Sequence, residues 1–338
     1  MNLLDSILSV TFVLSVVGLM LALSKVVGFT STSGICRVGL VSVLLTPVIG
    51  LVCHHLALPT WQVSGPDRVL APNRSSGGIP WGMILTLGWL LGSGFHLVRI
   101  VSGVIAVRRL RSRSMYPDKE LQYRLDSILP DRWRGQLRVN ALVGTPCVIG
   151  WCRPLLLLPT ECRDWREEHL RHAILHEVAH LERGDVWWRL IEQCVLAVWW
   201  WHPGARYLVK QAHEASEFAC DQAVLRTGAD PVEYVRGLLS LIGCGSLPSS
   251  VPAFAARSES ALTRRVRHML SSRPNADGSG WPLILAVLVI GGVSAAAATI
   301  RLSNGLPLQN PESPLRAARE AILRLDANPF PGGPDAGP

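Results

Sequence analysis

The sequence predicts a multi-pass α-helical membrane protein with a cytoplasmic α+β domain inserted between its third and fourth spans. Composition is the first observation: 49% of the 338 residues are apolar and only 17% are charged, whereas soluble domains usually carry about 25% charged residues. Second, four apolar runs approach the roughly 20 residues that a helix needs to cross a bilayer. Third, one polar stretch of domain size, 108–280, separates the third run from the fourth. This composition excludes a disordered chain and argues against an ordinary soluble enzyme.

We place the four predicted spans at 7–29, 36–58, 79–107 and 281–300. Residues 1–107 then form a membrane domain of three helices, and 301–338 form a short Pro/Gly-rich tail after the fourth. The first run is preceded by Asp5 rather than by basic residues, which is atypical of a cleaved signal peptide. We therefore expect it to be retained as a helix.

Basic residues orient the predicted spans. An arginine-rich run at 108–113 follows the third span, Lys25 and Arg37 flank the first connection, and a basic cluster at 264–267 precedes the fourth span. The positive-inside rule places these regions in the cytoplasm. We therefore predict a protein of the cell membrane whose domain 108–280 is cytoplasmic and whose N-terminus and C-terminal tail are extracytoplasmic.

The net charge of +8 comes from 33 Lys and Arg against 25 Asp and Glu. Both signs are interspersed along the polar stretch, and a nucleic-acid footprint would instead be a basic patch or stripe. The sequence therefore predicts a lipid bilayer as a partner and no direct binding to nucleic acid.

The polar stretch predicts a mixed α+β domain. A short amphipathic helix at 116–129 precedes strands at 137–143 and 147–159, which are broken by Gly144-Thr145-Pro146 and by Gly150. Asp164, with Glu167 three residues later, predicts a capping box that opens a helix ending at Gly184. Further helices are predicted at 185–201, 203–227, 231–242 and 258–271. Tryptophans in the first of these favour contact with the membrane interface, although core packing would explain them as well.

The segment His176-Glu177-Val178-Ala179-His180 is the sharpest signal in the chain. On a helix, positions i and i+4 share one face, so both imidazoles could bind one Zn²⁺ with Glu177 beside it. Zinc lowers the pKa of its bound water, and a carboxylate there can act as general base. A shuffled chain of this composition would contain such a motif only roughly 0.01 times. The pattern therefore predicts a metal site in which His176 and His180 are ligands and Glu177 is catalytic.

A catalytic zinc ion needs a third protein ligand. Glu217 and Asp221 share a face of the next long helix, so Glu217 could bind the metal while Asp221 supports a ligand histidine. The neighbouring Cys220 is a softer ligand, but it points in another direction and is disfavoured. Asp185 could either orient a ligand histidine or cap the following helix.

Three further imidazoles, His172, His202 and His213, are expected to be structural. The last two could alternatively donate a hydrogen bond to the oxyanion that forms during attack on a carbonyl.

These motifs resemble those of the BlaR/MecR-type membrane zinc peptidases. The similarity covers roughly 1–300 and rests on the strand pair at 145–159, the HExxH segment with the Asp that follows it, and the Glu-x-x-Cys-Asp segment at 217–221. The turn Trp201-His202-Pro203 is similar too, with His where the family usually has Asn. The resemblance implies a gluzincin-like peptidase domain at the inner membrane face. It also implies a strand that accepts an extended substrate by edge pairing.

Antibiotic-sensing members of that group relay an external signal to cleavage or loss of a cytoplasmic DNA-binding repressor. They carry a penicillin-binding domain after the last span, whereas only 301–338 follows here. We therefore expect a chain that lacks the C-terminal sensor domain and could work with a separate sensor partner. The predicted function is a zinc endopeptidase in regulated signalling, acting on a protein or peptide substrate such as a repressor. The alternatives are a non-enzymatic transducer with a structural zinc domain and an HtpX-type quality-control peptidase.

Overall fold

The computed structural model describes residues 3–27, 32–56, 61–64, 81–244, 258–271 and 281–303. The tail beyond 303, for which the sequence predicts an extracytoplasmic location, lies outside the described residues.

Three helices are long and apolar enough to cross a membrane: α1 (Leu3–Val27), α2 (Thr32–His55) and α3 (Trp81–Ser112). A fourth apolar helix, α10 (Trp281–Ala298), has 18 residues and contains a shorter apolar run, Ile284–Ala297. It packs against α1 and α2. The segments predicted as the first three spans are therefore helices of sufficient length, and the fourth span remains a prediction.

Two short strands flank these helices. β1 (Trp61–Ser64) follows α2, β5 (Ile300–Ser303) follows α10, and the two pair in parallel. The pairing was not predicted from the sequence. It brings the strand after α2 and the strand after α10 together, and the orientation of the helices in the membrane stays a prediction.

The polar region contains a three-stranded sheet. Its strands are β2 (Leu137–Val139), β3 (Cys147–Ile149) and β4 (Leu155–Leu158), in the order β2-β4-β3, with β2 parallel and β3 antiparallel to β4. Helix α4 (Lys119–Asp126) is capped by Asp118 and packs its leucines beneath the sheet. The strands are shorter than predicted, because turns interrupt the apolar runs around them.

Helix α5 (Glu167–Arg183) carries the HExxH segment, and its apolar residues pack in the same core as the sheet. It ends at Gly184, which has φ of 64° as predicted for a glycine stop. The predicted capping box is wrong, because Asp164 closes a short 3₁₀ helix, Thr160–Asp164, and α5 begins only at Glu167. Glu167 is then the first helical residue, where its charge complements the helix dipole.

Four more helices complete the region: α6 (Asp185–Val198), α7 (Pro203–Arg226), α8 (Pro231–Cys244) and α9 (Ser258–Ser271). The bounds of α9 are those predicted. Helices α6 and α7 form an antiparallel hairpin whose tip lies against α1, and the hairpin shares one apolar core with α1, α2 and α10. The polar region is thus packed directly onto the apolar helices.

Tryptophans fix the position of this hairpin. Trp199 is 3% exposed within the shared core. On the other side of α6, the Trp89 indole of α3 donates to the Val198 carbonyl at 2.9 Å, and Gly92 of α3 lies against the Trp200 ring. Core packing therefore explains Trp199, while Trp187 is exposed.

Candidate metal centre

Two imidazoles and one carboxylate converge where α5 contacts α7. His176 and His180 occupy successive turns of α5, with ring centroids 4.9 Å apart. Their Nε2 atoms lie 3.6 and 3.7 Å from the two oxygens of Glu217 on α7. One potential ligand atom from each residue lies within 4.8 Å of the others. The structure thus brings together the three residues that the sequence predicts as ligands.

The spacing of these atoms fits a tetrahedral metal ion. Zinc bonds to imidazole nitrogen and carboxylate oxygen measure about 2.0–2.2 Å, so ligands of one zinc ion lie about 3.4 Å apart. The observed separations of 3.6 and 3.7 Å are close to this value. Two imidazoles and one carboxylate also match the donor set of catalytic zinc sites that keep one position open.

The Nδ1 atom of His176, the ring nitrogen that does not face Glu217, contacts one residue of α7 and one of α8. It lies 3.2 Å from Asp221 and 3.0 Å from the Tyr234 hydroxyl, which itself donates to Asp221 at 2.8 Å. Burial alone would lower the pKa of His176, but hydrogen bonds to Asp221 and Glu217 raise it to about 10. A metal ion that binds this ring would therefore have to displace a proton.

Asp221 is fully buried and is held by Arg265 of α9 through bonds of 2.7 and 2.8 Å. Burial raises the pKa of Asp221, but Arg265 and His176 more than offset this and hold it at about 2. Arg265 also lies 3.0 Å from Glu217, whose pKa is held well below its usual range because His176 and Arg265 outweigh its burial. Tyr234 and Arg265 were not identified from the sequence as site residues. Arg265 was noted only as part of the basic cluster before α10.

The outer nitrogen of His180 is held by Asp185, the first residue of α6, at 2.8 Å. Asp185 also accepts hydrogen bonds from Ser216 at 2.7 Å and Arg183 at 3.2 Å. Burial raises the pKa of Asp185, but these partners lower it far below its usual range. Of the two roles considered for Asp185, the structure thus shows the contact with His180, one of the predicted ligands.

Cys220 faces the outer side of His180. Its Sγ lies 3.3 Å from Nδ1 of that ring and 3.7 Å from Asp185. Burial and the Asp185 charge raise the pKa of the Cys220 thiol. It therefore contacts the nitrogen opposite to the one that faces Glu217.

Glu177 is half-buried on α5, between the two histidines in sequence. Burial raises its pKa, and the neighbouring His176 and His180 only partly offset this. The edge strand β3 contacts α5, and burial together with the Glu177 charge raises the pKa of the Cys147 thiol to about 12. A half-buried carboxylate thus lies beside a sheet edge, the arrangement in which an extended peptide could pair with the strand.

The remaining imidazoles differ in position. His202 caps α7: its Nδ1 accepts from the Gly204 backbone N–H at 3.1 Å and its Nε2 contacts the Thr11 hydroxyl at 3.2 Å. Both ring nitrogens are therefore engaged at the hairpin tip. His213 is exposed on α7, one turn before Glu217. Arg189 of α6 donates a hydrogen bond of 3.5 Å to the Glu217 carboxylate.

Comparison with known proteins gives two matches. A family model described as BlaR1 peptidase M56 matches residues 71–269. The regulatory protein BlaR1 of Bacillus licheniformis is 24% identical over 143 residues, which cover 41% of this chain and 24% of that protein. The match thus spans about a quarter of the relative's length. Both findings agree with the resemblance drawn from the motifs.

Proposed function

The chain belongs to the BlaR1 peptidase M56 family, and from that premise we propose that it is a membrane-bound zinc endopeptidase. His176, His180 and Glu217 are the proposed ligands and Glu177 the proposed general base. The observation that carries this proposal is the convergence of both Nε2 atoms on the Glu217 carboxylate, at 3.6 and 3.7 Å. Bound zinc would supply a water of lowered pKa and a Lewis acid for the scissile carbonyl.

The outer carboxylates support this assignment. Asp221 and Asp185 each lie beside the Nδ1 atom of one ligand histidine, at 3.2 and 2.8 Å. A carboxylate in that position fixes the tautomer and orientation of the ring, so that Nε2 is free to bind metal. Structural histidines on a helix surface would not need a buried carboxylate each.

Glu177 has the properties of a general base. Its pKa is raised by burial, which brings its proton affinity closer to that needed near neutral pH. In the proposed reaction it accepts the proton of the attacking water and passes it to the leaving amine. His213, exposed one turn before Glu217, is a candidate donor to the oxyanion.

The substrate is proposed to be a protein segment in extended conformation. β3 lies at the edge of the sheet and contacts the helix that carries Glu177. Backbone pairing along such an edge binds many sequences, and pockets for alternate side chains then select among them. A role in regulatory proteolysis, with a cytoplasmic repressor as one candidate substrate and a separate sensor as a candidate partner, is supported by the match to a regulatory protein.

The test compares the full-length protein in detergent with its Glu177→Gln variant on a proteome-derived peptide library, with cleavage products identified by mass spectrometry. Gln cannot accept the proton but has nearly the same shape. We expect zinc-dependent cleavages in the parent that are absent from the variant and from the chelated parent. Identical cleavages in parent and variant would overturn the assignment of Glu177. A zinc-loaded parent that cleaves no peptide would favour the non-enzymatic transducer.

A further inference from the structure

Asp185 presents its two carboxylate oxygens to different partners. Oδ2 faces the metal centre, where it contacts His180 Nδ1 at 2.8 Å and accepts from the Ser216 hydroxyl at 2.7 Å. Oδ1 faces α2, where it accepts a hydrogen bond of 2.5 Å from the Arg37 guanidinium. Asp185 is only 4% exposed. One buried carboxylate therefore joins a proposed metal ligand to an apolar helix.

Arg37 occupies an unusual place for a charged residue. It lies in the second turn of α2, a helix long and apolar enough to cross a membrane. Ionisable residues in such helices are costly, pair with other groups and often mark functional positions. Besides Asp185, the guanidinium contacts the Arg183 carbonyl at 3.4 Å and lies 4.9 Å from the centre of the Trp188 ring. Three groups around the α5–α6 junction thus fix its position.

We propose that Arg37 is a positioning residue for the metal centre, which acts through Asp185 to orient the ring of His180. The inference rests on the proposed function, because it requires His180 to bind the metal. Asp185 also contacts Arg183 through Oδ2. Without Arg37, Oδ1 loses its charged partner in a buried site, and the carboxylate can turn towards Arg183. The His180 ring then loses its fixed orientation, and metal affinity falls.

The same contact couples α2 to the metal centre. A shift of α2 that withdraws Arg37 has the same effect on Asp185 as substitution of Arg37. The pair therefore gives a signal carried by the apolar helices a direct route to a metal ligand, over a sequence separation of 148 residues.

The experiment measures the zinc dissociation constant of the full-length protein in detergent by competition with a chromophoric chelator. We expect Arg37→Gln to weaken zinc binding about tenfold, at the lower end of the effect of losing a partner of a metal-bound histidine. Arg37→Lys keeps the charge and should restore part of the affinity. The matched control is Arg99→Gln, which removes an arginine from another apolar helix, α3, and should leave the constant unchanged.

A double-substitution cycle tests the route through Asp185. If Arg37 acts through that carboxylate, Arg37→Gln combined with Asp185→Asn binds zinc no more weakly than Asp185→Asn alone. Additive losses would overturn the proposal. The proposal would also be overturned if Arg37→Gln lowered the melting temperature but left the zinc affinity unchanged. Arg37 would then stabilise only the packing of the helices. Should Arg37→Gln fail to fold, additive losses of zinc affinity in Arg37→Lys combined with Asp185→Asn would overturn the proposal as well. A parent that binds no zinc would refute the proposed function itself.

Discussion

The guanidinium of Arg265 binds both carboxylate oxygens of Asp221, at 2.7 and 2.8 Å. The pair joins α9 to α7 behind the His176 ring, and Asp221 is fully buried. Since Asp221 also contacts His176, the orientation of a proposed metal ligand depends on a helix that lies 44 residues further along the chain.

Arg265→Gln is expected to destabilise the protein strongly. Removal of one partner of a buried ion pair leaves an uncompensated charge and costs about 3–5 kcal/mol. The control is Arg264→Gln, because Arg264 pairs with Glu214 at the surface with 40% of its side chain exposed, and such pairs are worth about 1 kcal/mol or less. Thermal or denaturant unfolding in detergent measures both. Equal losses of unfolding free energy would show that the buried Arg265–Asp221 pair stabilises the protein no more than the Arg264–Glu214 pair does.

Cys147 is expected to react much more slowly than Cys152. The pKa of the Cys147 thiol is raised to about 12 by burial and by the Glu177 charge, so only roughly one thiol in ten thousand is ionised at pH 8. Cys152 is exposed three residues beyond β3. Alkylation with iodoacetamide at pH 8, followed by peptide mapping, measures both rates. Comparable rates would contradict the placement of β3 beside Glu177.

Gly92→Ala is expected to disturb the contact between α3 and the hairpin. An added Cβ would lie 2.3 Å from the Trp200 ring, and such overpacking costs about 1–3 kcal/mol. Gly88 is the matched control, one turn earlier on α3 with open space around its Cβ position. There Ala should be neutral or stabilising by up to about 1 kcal/mol. Melting temperatures that shift equally would argue that α3 does not pack on α6 as described.

His202→Asn is expected to leave stability nearly unchanged, whereas His202→Ala should cost about 1 kcal/mol. The reason is that Nδ1 of His202 accepts from the Gly204 N–H, and an Asn oxygen can do the same at a helix N-terminus while Ala cannot. The free energies of unfolding of the parent, His202→Asn and His202→Ala, measured in the same detergent, test this expectation. If Asn is as damaging as Ala, the Thr11 contact rather than the cap is what His202 contributes.

Local signals in the sequence were sufficient for the helices and for the inner part of the site. Gly184, which follows the helical periodicity, predicted where α5 ends. The i, i+4 spacing predicted that His176 and His180 share a face of that helix. Glu217 and Asp221 could be chosen because they too share a helical face. The capping box predicted at Asp164 was wrong because a 3₁₀ helix uses the same residues in another geometry.

Contacts between distant elements could not be predicted in this way. Periodicity tells which residues of one helix share a face, but not which helix lies opposite. Tyr234 contacts His176 across 58 residues of sequence, and Arg37 contacts Asp185, the partner of His180, across 148 residues. The parallel pairing of β1 and β5 is equally non-local, since each strand has only four residues and little pattern of its own.

The central claim is that His176, His180 and Glu217 hold one zinc ion. Its most direct test is the metal content of the full-length protein purified in detergent, compared with His176→Ala, Glu217→Ala and the control His213→Ala. We expect about one zinc per chain in the parent and in the control, as one tetrahedral site requires, and little in the other two. Zinc retained in Glu217→Ala, or none in a parent purified without chelator, would contradict the claim.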